Sequence, residues 1–432
     1  MPERGTMLKL LSTKKLPTNH PLTYLFLAFM TMTGLSYINF LPALVNALAG
    51  DIGFDEAEAG QIVALNSYGG LLGSTLAIFM VRKFRWEPAM FLSLMALALI
   101  DVITISTGAS GPGHYHLMLG MRFLAGVSGG LSLGIGFAVL ARLQNPDRAF
   151  GTLLFVQFII GSIVIYGLPA LEAQLNVYAV FYVMVSFVMF SLACLPFLPP
   201  LHLNKQTSQQ QANTRTSFFS TSGTNTLLLM LAIITYQIAA SAIWAYVGLI
   251  GLNANINNDD VSTYIATTGL LGLFGAMLPI ISGKLFGRLY WVVSGVTLSV
   301  VSALVLSFYQ LTPRLYIGAM SLLFFAWPAV QSYLLAVTAE LDASGKLSTV
   351  AAVISSIGLA TGPLISSGLL REGDFSPMLY SSAALFILCA ILLYKPVKTQ
   401  DQLLRPTIRN TNFSAATNHF DQCTHLSGEM TK

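Results

Sequence analysis

Two ionisable residues stand where charge is most expensive. Arg122 sits in the apolar stretch 115–141 and Asp101 in the stretch 88–108. Each lies about seven residues, or roughly 10 Å at 1.5 Å per residue, from the nearer end of its stretch. An ion inside an apolar helix faces a cavity or a partner, and it marks a functional site by default. The planar guanidinium of Arg122 offers five donors in a fork that suits a carboxylate or phosphate. Arg122 is therefore a candidate contact for an anionic group; the competing role is a brace on helix carbonyls. Asp101 is either a proton site or one half of a fixed ion pair. A short loop joins the two stretches, so they run as antiparallel neighbours and the two charges are within reach of each other.

Further polar and aromatic residues recur at helical spacing along the other apolar stretches. Gln237, Ser241 and Trp244 share one face; so do Trp327 and Gln331, with Thr338 close by. Tyr264 falls beside Thr267 and Thr268, Thr33 aligns with Tyr37, Gln157 with Gly161, and Asn66 stands alone. Each is a cavity-wall candidate, and each also fits an interhelical hydrogen bond. Gly126, Gly130 and Gly134 fall on one face of the Arg122 helix, a surface for close backbone approach, expected against the fifth helix. Cys194, Cys389 and Cys423 have no ligand or disulfide spacing. No GxxxxGK[ST] phosphate loop is present, and no acid, His and nucleophile constellation lies within the helices. No cofactor, metal or enzymatic activity is expected.

The elements that must position these residues are membrane spans. A hydrocarbon core about 30 Å thick needs roughly 20 apolar residues per helical crossing. Twelve stretches qualify, near 22–48, 57–81, 88–108, 115–141, 149–171, 177–198, 224–250, 261–282, 289–310, 314–339, 348–370 and 377–395. Apolar residues make up 54% of the chain and charged residues 9%, far below the roughly 25% of soluble proteins. Continuous apolar runs exclude a β-barrel, whose strands alternate over about ten residues. The fold class is an all-α membrane protein. It divides into an N-terminal segment 1–21, a six-helix bundle 22–198, a polar linker 199–223, a second bundle 224–395 and a polar tail 396–432.

Of the 22 Lys and Arg residues, nearly all fall in the chain ends and in alternate loops. Arg314 and Arg371 lie on the other side, with Arg122 inside a span. The positive-inside rule then places both termini in the cytoplasm of a multi-pass cell or inner-membrane protein. The net charge of +4 follows from that topology, and no basic patch interleaved with exposed aromatics points to nucleic acid.

The two sets of six look like copies. Gly69-Gly70-Leu71-Leu72-Gly73 in span two has a counterpart in Gly269-Leu270-Leu271-Gly272 in span eight, and a basic loop follows each. An even number of spans per copy makes the repeats parallel, with a binding site at the midplane between them. On these residues the chain resembles the major facilitator superfamily. Leu119-Gly120-Met121-Arg122 through Gly126 and Gly130 is similar to the family's fourth-helix pattern. Gly358-Leu359-Ala360-Thr361-Gly362-Pro363 looks like its GxxxGP packing motif in helix eleven. Two features depart from the family: Gly73 to Trp86 reads GSTLAIFMVRKFRW, without the usual acid, and span five retains only Gly161, Gly167 and Pro169 of the antiporter pattern.

The resemblance implies a monomeric transporter that works by alternating access between two pseudo-symmetric bundles. The aromatic residues suit a partly apolar small organic solute and lone Arg122 suits an anionic group on it; energy would come from a proton gradient, in the direction of efflux, with uptake by symport as the alternative. The resemblance carries proton coupling to Arg122 only; Asp101 is a proton-coupling candidate from its place inside an apolar stretch, and Glu340 is the next acid. Arg122, Tyr37, Asn66, Gln157, Gln237, Trp244, Tyr264, Trp327 and Gln331 would face the solute. Gly126, Gly130, Gly358, Gly362 and Pro363 would pack or gate. A membrane receptor or scaffold that binds without moving its ligand is the rival from another class.

Overall fold

The computed structural model describes residues 15–50, 52–199, 223–282, 288–341, 346–371 and 373–399. The linker and tail expected at 199–223 and 396–432, with Cys423, lie almost wholly outside them. Among the described residues, twelve helices are long and apolar enough to span a membrane. They are Pro21–Asn39, Glu56–Val81, Trp86–Thr107, Pro112–Leu140, Arg148–Gln174 and Ala179–Phe197, then Gly223–Asn253, Asn258–Leu278, Arg288–Leu306, Pro313–Thr338, Val350–Leu369 and Ser376–Thr399. They are called spans one to twelve below.

Local sequence sets several of the ends. Asp55 accepts from the Glu58 amide at 2.5 Å while Glu58 reaches back to the Asp55 amide, a reciprocal cap that starts span two. Asn145 caps span five through the Arg148 amide at 3.0 Å, with Pro146 in the first turn. Gly108, at φ +56°, ends span three in the left-handed conformation that glycine adopts without strain.

Span one is not the single helix expected over 22–48. It stops at Asn39 and resumes as Leu41–Ala49. Pro42 is the reason: it has no N–H to give the carbonyl of Ile38, four residues earlier, and its ring crowds that carbonyl. Span eight is likewise interrupted at Leu270.

The two sets of six pack in the same order. Span two lies along span four as span eight lies along span ten; spans one and five pair as spans seven and eleven do. Between the sets, span two meets span eleven and span five meets span eight. The glycine counterparts are shifted from the sequence alignment: a Cβ on Gly73 would run into the main chain of Val127 in span four, and one on Gly275 into that of Phe325 in span ten.

The glycine face of span four packs on span two, not on span five. A Cβ on Gly126 would fall on the carbonyl of Asn66, and one on Gly130 on the carbonyl of Gly70. The glycines of span two supply the second half of that close approach, which spacing within span four alone does not reveal.

Candidate functional site

Two adjoining cavities occupy the middle of the molecule. The larger, of about 300 Å³, lies between the two sets of spans. Its walls include Ile38 and Asn39 of span one, Gln157, Phe158 and Gly161 of span five, Trp244 of span seven, and Phe324, Trp327 and Gln331 of span ten. None of the described lining residues is charged. The smaller, of about 220 Å³, is bounded by Tyr37, Asn66, Asp101 and Arg122 and reaches Ser356 of span eleven. Leu35, Ile38 and Leu359 border both, so one layer of side chains separates them.

Arg122 is fully buried and Asp101 nearly so. Arg122 Nη1 donates to Asp101 Oδ1 at 2.8 Å and Nη2 donates to the Thr104 hydroxyl at 2.5 Å. The guanidinium carbon stands 4.8 Å from the centre of the Phe181 ring, a favourable place for a cation over a π face. Asn66 donates to the Arg122 main-chain carbonyl at 2.7 Å, which ties span two to span four at the level of the ion pair. Three polar atoms at this site are buried and make no hydrogen bond within the protein: Asp101 Oδ2, Arg122 Nε and the Tyr37 hydroxyl. All three residues border the smaller cavity.

In the other half, a chain of side-chain bonds shapes the larger cavity. Trp327 Nε1 donates to Gln237 Oε1 at 2.7 Å, and Gln237 Nε2 and Gln331 Nε2 both donate to the Ser355 hydroxyl, at 2.7 and 2.9 Å. Trp244 meets Phe324 edge to face at 5.1 Å. Its indole Nε1 donates at 3.0 Å to the Ile38 carbonyl that Pro42 leaves without a helical partner.

The structure thus brings together Arg122, Asp101, Tyr37 and Asn66 at one cavity, and Gln157, Trp244, Trp327 and Gln331 at the other. Gln237 stands behind the second group and holds Trp327. Tyr264 borders neither cavity and packs beside Tyr316 at 6.4 Å. Arg122 does not border the larger cavity, and its charge is met by Asp101. Gly358 and Gly362 lie against Gln237 and Ser241 of span seven, and the Pro363 carbonyl lies beside Gly60 of span two.

Sequence reading missed Asn39, Phe158, Phe324 and Ser355. Phe324 was discoverable from its i, i+3 spacing to Trp327, and Phe158 from its neighbour Gln157. Asn39 is a lone amide beside a helix break, a signal that emerges once Pro42 is read as a breaker. Ser355 is one of several serines in span eleven, and nothing local sets it apart.

Three hydrogen bonds cross between the halves among the described residues: Trp244 to Ile38, Tyr246 to the Glu56 carbonyl at 3.1 Å, and Tyr68 with Thr361 at 2.8 Å. All lie from mid-span towards the face away from the chain ends. Asn46 packs against Gly248 on that side too. That face is closed across the halves.

Paired six-helix sets around a central cavity define a secondary transporter architecture. The chain belongs to the Major Facilitator Superfamily: the family profile matches residues 24–355. It is a multi-pass membrane transporter, and a small molecule is its substrate. No curated protein sequence matches it significantly. Among solved structures, a point mutant of nucleoside transporter NupG superposes with a TM-score of 0.72 at 12% identity, over 87% of this chain and 99% of its own. Another crystal structure of NupG gives 0.65 at 12% identity, over 87% and 98%. At that identity the likeness shows the shared fold.

Proposed function

We propose that the protein is a proton-coupled secondary transporter that exports a small organic solute through the larger cavity by alternating access. The observation that carries the reading is the buried Asp101–Arg122 pair one side-chain layer from that cavity. Asp101 keeps one carboxylate oxygen free towards the smaller cavity. A proton taken there neutralises Asp101 and removes the counter-charge of Arg122. The consequence travels by packing: Arg122 sits on span four, Asn66 ties span four to span two, and span two meets span eleven through Tyr68 and Thr361. A change at the ion pair therefore bears on the contact between the halves.

The Lys and Arg bias supports placing the chain ends in the cytoplasm; the closed face is then the outer one, and the conformation is inward-facing. Export as the direction is supported by Gly161, Gly167 and Pro169 of span five, with Gly161 at the cavity wall. Because Asp101 neutralises Arg122, the cation invoked for an anionic solute is already occupied. The test is flux in proteoliposomes under an imposed pH gradient, wild type beside Asp101→Asn. Coupled transport predicts solute movement against the proton gradient in wild type. In the variant it predicts exchange of solute without gradient-driven accumulation. Equal accumulation by both proteins would remove Asp101 from coupling, and the sign of the gradient that drives accumulation separates export from uptake. Binding without any flux would favour a receptor.

A further inference from the structure

The larger cavity carries more information than its volume. Four aromatic rings, Phe158, Trp244, Phe324 and Trp327, stand in its walls, and its described lining is free of charge. An ion entering it would lose hydration with no opposite charge to replace it, which is costly whichever its sign. Arg122 and Asp101, which border the adjoining cavity, are paired with each other. The cavity favours an uncharged, flat, aromatic solute.

Its unpaired polar groups set the edges of that solute. Gln331 spends its Nε2 on Ser355 and leaves Oε1 buried without a partner. Pro328, three residues earlier on span ten, has no N–H for the carbonyl of Phe324, two turns before Gln331, and both residues border the cavity. Opposite, on span one, Asn39 is more than nine-tenths buried and its Nδ2 donor makes no hydrogen bond. The Trp244 and Trp327 indole N–H groups are already committed to Ile38 and Gln237. Buried polar groups left unpaired are expensive, so the ligand that fits is the one that pairs them.

We infer that the larger cavity binds a neutral planar aromatic compound that donates an N–H or O–H to Gln331 Oε1 and accepts from Asn39 Nδ2. The inference rests on the reading of this cavity as the solute site and narrows the class of solute.

Calorimetric titration of the purified full chain tests it with four bicyclic probes of matched size: carbostyril, a neutral lactam; N-methylcarbostyril, which lacks the donor; quinaldate, an anion; and N-methylquinolinium, a cation. Carbostyril should bind, and N-methylation should weaken it by roughly tenfold or more, because Gln331 Oε1 loses its partner. Gln331→Met should weaken carbostyril to a similar extent and narrow its advantage over the methylated probe. The methylated probe makes the same deletion from the ligand side, in a protein that is unaltered. Equal binding of the two lactams, tighter binding of either ion, or no binding of carbostyril would each overturn the inference. Flux of whichever probe binds is then measured in liposomes. Tight carbostyril binding without flux would count against transport and leave the ligand class standing; flux of the anion would do the reverse.

Discussion

Removing the buried ion pair one charge at a time separates its structural role from its coupling role. Arg122 and Asp101 are shielded from solvent and 2.8 Å apart. Deleting one partner leaves the other as an uncompensated buried charge, which costs about 3–5 kcal/mol. Asp101→Leu and Arg122→Met should each destabilise the protein by that amount. Replacing both with apolar side chains of similar volume removes the desolvation cost together with the attraction, and such exchanges are often neutral or stabilising. The Thr104 hydroxyl still donates to the Ile100 carbonyl at 2.8 Å, so losing Arg122 leaves it paired, and the correction for that bond is about 1 kcal/mol. The double variant should therefore lie within about 1–2 kcal/mol of wild type, a loss far smaller than the sum of the two single losses. Equilibrium unfolding in mixed micelles measures all four corners of the cycle. Additive losses would mean that the two residues do not interact and would refute the pairing argument. The double variant then serves as a folded protein without the proposed proton site: solute exchange should persist and proton-driven accumulation should vanish. Accumulation that survives in it would place coupling elsewhere.

Other outcomes follow from local geometry. Gly130→Val puts methyl groups onto the Gly70 main chain and should cost about 1–3 kcal/mol by overpacking, whereas Gly120→Ala, with nothing near its Cβ, should stay within about 0.5 kcal/mol; thermal unfolding in detergent compares them. Trp244→Phe and Tyr246→Phe each remove one hydrogen bond across the closed face, worth about 0.5–1.5 kcal/mol. Each should make a cysteine introduced at Asn46, with Cys423 replaced by Ser, react severalfold faster with a membrane-impermeant thiol reagent, since Cys194 and Cys389 are buried. An unchanged rate would remove these bonds from the gate. Asp374 accepts from the Ser376 amide at 2.9 Å at the start of span twelve, and the Ser376 hydrogen bonds hold its carboxyl below the usual range. A depressed folded pKa contributes stability above the ordinary carboxylate pKa and loses it as pH falls through the folded value. Asp374→Ala should therefore destabilise at neutral pH, with the gap to wild type closing in acid; a gap independent of pH would contradict the assignment.

The spans, their number and the two ionisable residues inside them were legible from the chain alone. Hydropathy over about 20 residues is a local property, and lipid admits no backbone that fails to pair within its own segment. The same physics made Arg122 and Asp101 conspicuous, because charge in an apolar helix is rare and costly. Local sequence also contained the break in span one, since Pro42 acts on Ile38 four residues away; the long apolar run around it masked the signal. What each polar residue faces was decided by tertiary packing. Spacing along one helix places Gly126 and Gly130 on a face, but only the glycines of span two make that face a contact. Tyr37 and Asn39 are two residues apart, yet Tyr37 borders the smaller cavity and Asn39 the larger. Gln237 and Gln331 read alike in sequence and both donate to Ser355, but Trp327 also donates to the Gln237 oxygen and leaves Gln331 with a free acceptor. Helix formation depends on bonds four residues apart, whereas these pairings join residues tens to hundreds of positions apart, at positions set by how the helices cross.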